Sequence, residues 1–229
     1  MALSPIAHVG LAEETYARLR EAIFAGDFEP TDKLDIPKLA DSFGISRQPV
    51  KDALARLSTE GLVVIVPRKG TYVRPINSAD AINILNARLM MERWAVSHSR
   101  TIGPEILEPM EEIVRRMHDT IQASDFDFST YNELDILFHE HIVMLANNPE
   151  IFRSYRALHS HYVTARYYYN RLDKSIRSDD DHRHILIALQ RGDLDQAGVI
   201  VEKHIVTGIE GILAMRNADQ DSEREEKQP

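Results

Sequence analysis

Residues 35–61, DIPKLADSFGISRQPVKDALARLSTEG, decide how the first third of the chain is read. Leu39 and Ala40 fall on the inner side of a short helix over 36–43, and Gly44 ends it. Ser46 is a good N-cap for the next helix, and Pro49 is tolerated in a first turn, where a missing N–H costs nothing. That helix runs to residue 60 with Val50, Leu54 and Leu57 on one face, and Gly61 stops it. Two helices joined by Phe43-Gly44-Ile45-Ser46 form a helix-turn-helix candidate. With the apolar face turned inward, Arg47, Gln48 and Lys51 point outward near the helix N-terminus, where a recognition helix meets base edges. Arg can bridge two guanine acceptors and Gln can pair with adenine, while Ser46 and the helix N-terminus suit a phosphate.

Upstream, Tyr16, Leu19 and Ile23 mark a helix over 12–25 that Gly26 ends. Downstream, β-rich runs at 62–66 and 71–73 flank Pro67-Arg68-Lys69-Gly70, a hairpin whose basic tip suits phosphates or a narrow minor groove. The bland alternative is a small core with a solvated charged face. Charge distribution weighs against it. The chain carries −9 overall, but residues 1–76 balance ten basic against ten acidic residues, so the acid excess lies entirely beyond them. Residues 46–74 hold six basic residues against Asp52 and Glu60. A basic patch on a neutral domain can bind phosphates while the rest stays acidic.

The 43% apolar and 28% charged composition is that of a globular protein. No run approaches the roughly 18 apolar residues of a membrane helix, and MALSPIAHVG lacks the basic and apolar regions of a secretory signal. Cysteine is absent, which removes disulfides, thiolate metal sites and a cysteine nucleophile, and makes the reducing cytoplasm the simplest location.

After residue 76 the pattern becomes helical throughout. Six helices are expected near 80–100, 104–123, 129–147, 149–171, 175–191 and 193–216, with a disordered tail over 218–229. The fold class is therefore mainly α: a winged helix-turn-helix over 1–76 and an all-α six-helix bundle over 77–217. In the third bundle helix Asp135 lies within the stripe Tyr131, Leu134, Phe138, Ile142, Leu145, and His139 follows one turn later. His182 shares a face with Ile185, Leu186 and Leu189, and His204 lies amid Ala197, Val201, Gly208 and Ile212. A lone inward histidine is usually a hydrogen-bonded core residue. Three of them with one inward carboxylate form a candidate divalent-metal set, for which Zn²⁺ stands first and Ni²⁺ or Mn²⁺ are alternatives. Arg88, with Glu92 at i+4, lies in line with Ile84, Met91 and Ala95, and reads as an ordinary surface pair or a pocket residue. Arg166-Tyr167-Tyr168-Tyr169 stays ambiguous, because consecutive helical residues cannot share a face.

The first region, through Leu39-Ala40-x-x-Phe43-Gly44-Ile45-Ser46-Arg47-x-Pro49-Val50-Lys51 and Arg68-Lys69-Gly70-x-x-Val73, resembles the winged-helix domain of GntR-type transcription regulators. Two departures stand out: Thr31 where the family usually has Gly, and Lys51 in place of Arg, which favours a phosphate contact over bidentate base readout. Asp135-x-x-Phe138-His139 and His182-x-x-Ile185, followed by Gly192-Asp193 and His204-Ile205, resemble the FCD domain of the FadR subfamily, in its shorter VanR-like branch. The resemblance implies DNA contact by Ser46, Arg47, Gln48, Lys51, Arg68, Lys69 and Gly70, and a metal on Asp135, His139, His182 and His204. It further implies an acidic effector held by Arg88, a homodimer and a palindromic operator. The expected function is a non-enzymatic, ligand-responsive regulator, a repressor released by a small organic acid. A linker over 75–80 would carry the signal. The alternatives are a metal-dependent hydrolase and a regulator whose metal is purely structural.

Overall fold

The computed structural model describes residues 9–75, 77–99, 102–158 and 172–226, in two compact units divided after residue 76. The first unit contains α1 (Val9–Ala25), α2 (Ile36–Phe43), α3 (Arg47–Thr59), β1 (Val63–Val66) and β2 (Gly70–Val73). Asp35 caps α2 by accepting from the Lys38 N–H, and Gly44, in the left-handed region at φ 66°, ends it. Leu19, Ile23 and Phe24 of α1 and Val50, Ala53, Leu54 and Leu57 of α3 are all buried and form the core between these two packed helices. β1 and β2 pair antiparallel from Val63↔Val73 to Val66↔Gly70, which makes the expected wing.

The second unit contains α4 (Ser78–Ser97), α5 (Pro104–Gln122), α6 (Phe128–Met144), α7 (Pro149–Ala157), α8 (Leu172–Gln190) and α9 (Leu194–Glu226), six helices among the described residues. Asn77, Asp127 and Asn148 cap α4, α6 and α7 with their side chains. α6 packs against α4, α5, α7 and α8, while α9 packs against α4 and α8. Phe138, Ile142, Ile185, Leu189, Ala197, Val201 and Ile212 fill the core. The helix expected over 149–171 is described only to Ala157, so Arg166 to Tyr169 lie outside the described residues. The last helix extends to Glu226, past Ala218 where the sequence reading begins a tail; its Ala, Gln, Arg and Glu residues are good helix formers.

Residues 31–34 run beside β2. Thr31 N–H donates to Val73 O at 3.0 Å and Leu34 N–H to Thr71 O at 2.8 Å, with a bridge between Lys33 and Tyr72. This pairing puts Thr31 at φ 74°, a left-handed conformation that a β-branched residue adopts only at a cost. The backbone thus explains why glycine suits this position. Thr31→Gly is expected to stabilise the winged-helix unit by about 1 kcal/mol, net of glycine's added unfolded-state entropy. The only tryptophan, Trp94, belongs to the second unit. The gain should therefore appear in far-UV circular dichroism melts, as a rise of roughly 4–8 °C in the winged-helix transition, and not in the Trp94 fluorescence melt.

Candidate functional site

α6, α8 and α9 bring the four expected metal-ligating side chains together. Asp135 and His139 project from one face of α6, His182 from α8 and His204 from α9, and one ligand atom of each lies within 4.8 Å of all the others. His139 Nε2 is 3.2 Å from His182 Nε2, and Asp135 Oδ1 is 3.4 Å from His182 Nε2 and 3.8 Å from His139 Nε2. Tetrahedral ligands held about 2.1 Å from a Zn²⁺ ion stand roughly 3.4 Å apart, so these edges fit one small divalent ion. The donor set of three imidazoles and a carboxylate suits Zn²⁺, Ni²⁺ or Mn²⁺.

The surrounding groups prepare the imidazoles to act as ligands. His139 Nδ1 lies 2.8 Å from Glu92 Oε2, and His204 Nδ1 lies 3.5 Å from Asp181 Oδ2. A carboxylate on one ring nitrogen fixes the tautomer and leaves the other nitrogen's lone pair free. Burial first, then the Arg88 charge, lowers the pKa of His139. Burial, with the neighbouring His204 and His139, holds His182 well below the ordinary histidine value. Both shifts favour the neutral ring, the form that binds metal. Burial alone would raise the pKa of Glu92, but His139 and Arg88 outweigh it and lower it to about 2.

Arg88 is not a surface residue. It is 4% exposed and Glu92 is fully buried, with Arg88 Nε donating to Glu92 Oε1 at 2.7 Å. Tyr155 OH donates to the same oxygen at 2.8 Å. One carboxylate therefore joins α4, α6 and α7. One terminal nitrogen of the Arg88 guanidinium remains buried without a partner. Arg88 lines a pocket, partly open to solvent, together with Asp135, His204, Asn132, Lys174 and Arg177. Asp135 and His204 of the candidate metal cluster thus share one cavity with Arg88.

In the first unit Ser46, Arg47, Gln48 and Lys51 are exposed at the start of α3, and Arg68 and Lys69 are exposed at the wing tip. Ser46 occupies the N-cap position, but its hydroxyl makes no capping hydrogen bond. Gln48 Nε2 donates to Asp52 Oδ1 at 2.7 Å. Arg56, counted with the basic patch, is turned to other work: it stacks 3.6 Å over Tyr16 and pairs with Glu13 and Glu60. Gly70 has φ 135°, and a Cβ there would come within 2.8 Å of the Lys33 side chain, so backbone geometry demands glycine.

A family model described as bacterial regulatory proteins of the gntR family matches residues 11–73, and the FCD domain model matches residues 83–207. The chain belongs to the GntR family and carries an FCD domain. It is 25% identical over 206 residues to the HTH-type transcriptional repressor GlaR of Escherichia coli (strain K12), covering 85% of this chain and 92% of that one. It is also 25% identical to the Nta operon transcriptional regulator of Aminobacter aminovorans, covering 81% and 87% of the two chains. The fold matches that of a GntR regulator from Rhodococcus sp. RHA1 with a TM-score of 0.69 at 20% identity, over 89% of this chain and 97% of that one. This GntR-family chain is a transcription regulator and not an enzyme, so the hydrolase alternative falls. Among the described residues no helix is long and apolar enough to cross a membrane.

Sequence reasoning missed Asp181, Tyr155 and Asn132, and gave Glu92 no role beyond pairing Arg88. Asn132 carried a usable signal, a polar residue three before Asp135 on an apolar face. Glu92→Gln is expected to weaken binding of Zn²⁺ by about 10- to 100-fold, measured by competition with a chromophoric chelator. Tyr155→Phe, which leaves the carboxylate in place, should change the affinity far less.

Proposed function

We propose that this regulator is a homodimeric, cytoplasmic repressor that leaves its palindromic operator when a small carboxylate binds beside a divalent metal. One observation carries the reading: Asp135 and His204 of the Asp135–His139–His182–His204 cluster line the same cavity as Arg88, whose buried guanidinium keeps an N–H without a partner among the described residues. Asp135, His139, His182 and His204 would hold the ion, Zn²⁺ first and Ni²⁺ or Mn²⁺ as alternatives. A bound divalent ion would supply a Lewis-acidic seat for a carboxylate oxygen. Arg88 would clamp the same carboxylate by a charge-assisted hydrogen bond. Lys174 and Arg177 add positive charge to the pocket lining, as an anionic ligand requires.

Arg88 and Glu92 lie on α4, the helix that follows the linker from the DNA-binding unit. Effector binding that repositions α4 would alter how two recognition helices meet two half-sites, provided the effector binds the two states unequally. Arg47 and Gln48 would read bases, while Ser46, Lys51, Arg68, Lys69 and the backbone at Gly70 would engage phosphates. Met90 and Trp94, exposed one turn apart on α4, and Leu137 and Met144, exposed on α6, offer apolar surface for a second copy.

Two experiments test this. Metal analysis of the purified protein should find about one divalent ion per chain, lost in His182→Ala. Operator binding by the metal-loaded chain should be relieved by a small carboxylate from a panel, and Arg88→Ala should abolish relief, with circular dichroism and metal content checking that the domain stays folded and loaded once Glu92 loses this partner. Relief intact in Arg88→Ala would leave the metal a purely structural role. On the DNA side, Lys51→Ala should weaken binding uniformly across sequences and reduce the salt slope by about one, whereas Arg47→Ala should relax the preference at one position per half-site.

A further inference from the structure

Asn132 is 1% exposed and lines the same pocket, yet among the described residues neither its amide nitrogen nor its amide oxygen has a hydrogen-bond partner. Two of the polar residues that line the pocket beside it are engaged elsewhere. The Tyr131 hydroxyl donates to Ser175 O at 3.0 Å, and Asp135 faces the two imidazoles. A buried amide left unsatisfied costs about 1–3 kcal/mol per group, and a leucine of similar volume would pack there without that cost. Whichever way the amide is turned, its edge presents one donor and one acceptor, so a complementary ligand must offer one acceptor and one donor side by side. A plain carboxylate or a 2-oxo acid offers acceptors alone and leaves the Asn132 carbonyl oxygen unpaired. A 2-amino acid offers a donor, but its ammonium would enter a pocket already lined by Arg88, Lys174 and Arg177.

We infer that Asn132 selects a 2-hydroxy carboxylate as effector: the hydroxyl donates to the Asn132 carbonyl oxygen, a carboxylate oxygen accepts from its NH₂ group, and the carboxylate also accepts from Arg88. The inference rests on the carboxylate reading above and adds the neighbouring hydroxyl as the specificity element. Sites built to hydrogen-bond a hydroxyl reject analogues that lack it far better than apolar pockets reject small changes in size.

The test uses the full-length, metal-loaded chain and matched probes in calorimetry: glycolate against acetate and glyoxylate, lactate against propionate and pyruvate, malate against succinate, and alanine as the ammonium control. The expected result is that at least one hydroxy acid binds about tenfold or more tightly than its deoxy and oxo partners. That preference should collapse in Asn132→Leu and in Asn132→Ala, while the residual carboxylate affinity still depends on Arg88. Circular dichroism checks that each variant is folded, and the smaller alanine serves should leucine overpack the site. Equal binding within every pair, tighter binding of alanine, or a hydroxyl preference that survives both substitutions would overturn the role of Asn132 and leave the carboxylate reading standing. Failure of every probe to bind wild type would overturn the carboxylate reading and this inference together.

Discussion

The second unit depends on one fully buried carboxylate. Glu92 accepts hydrogen bonds from Arg88 Nε and the Tyr155 hydroxyl on one oxygen and faces His139 Nδ1 with the other. A lone carboxylate at that depth would cost several kcal/mol, and only a full set of partners makes it tolerable. Satisfying it has geometric consequences. It fixes the turn of α4 that carries Arg88, sets the His139 ring so that its second nitrogen meets His182, and anchors α7 through Tyr155. Arg88 is held by its Nε, and one of its terminal nitrogens keeps no partner among the described residues. The same carboxylate thus orients an imidazole of the candidate metal cluster and the guanidinium proposed to bind an anion, so a change at either is felt by the other without a long path.

The first unit follows the opposite rule. The side chains proposed to meet DNA have no such anchoring. Arg47, Lys51, Arg68 and Lys69 stand in solvent, where long cations keep their freedom until a phosphate or base orders them. Arg56, on the same helix, is instead spent on Tyr16, Glu13 and Glu60, and so ties α3 to α1. Gln48 is an intermediate case, since reading a base would require it to exchange its bond to Asp52. The acid excess beyond residue 76 complements this arrangement, because an acidic second domain repels DNA and leaves attraction to the recognition helix and wing.

Much of this was legible in the sequence because helices repeat. Asp135 and His139 share a face whatever surrounds them, and His182 and His204 each sit at inward positions of apolar stripes, so four candidate ligands on three helices could be named together. Glycines and prolines marked most helix ends, and the departure at Thr31 proved to sit at a positive φ. What escaped was what depends on partners distant in sequence. Arg88 and Glu92 at i, i+4 look the same on a surface as in a core; it is the packing of other helices, α6, α7 and α9 among them, against α4 that buries them. Asp181 points to His204 from another helix, and Tyr155 reaches Glu92 across 63 positions. Ser46 shows the converse: its position follows from the sequence, but its hydroxyl leaves the cap unmade.

The unsatisfied atoms give the cavity its meaning. Among its lining residues, Arg88 keeps a buried N–H and Asn132 keeps both ends of its amide without partners among the described residues. A domain selected for stability alone would replace such groups with apolar ones, since each open donor or acceptor costs about 1–3 kcal/mol. Their retention together, in one pocket beside four convergent ligand atoms, is what a binding site completed by its ligand requires. Whatever supplies the missing partners binds the folded chain and not the unfolded one, and therefore stabilises the domain in proportion to its affinity. Stability withheld from the empty domain is returned on binding. Because α4 bears both Arg88 and the connection to the DNA-binding unit, that return is made on the helix best placed to carry it there.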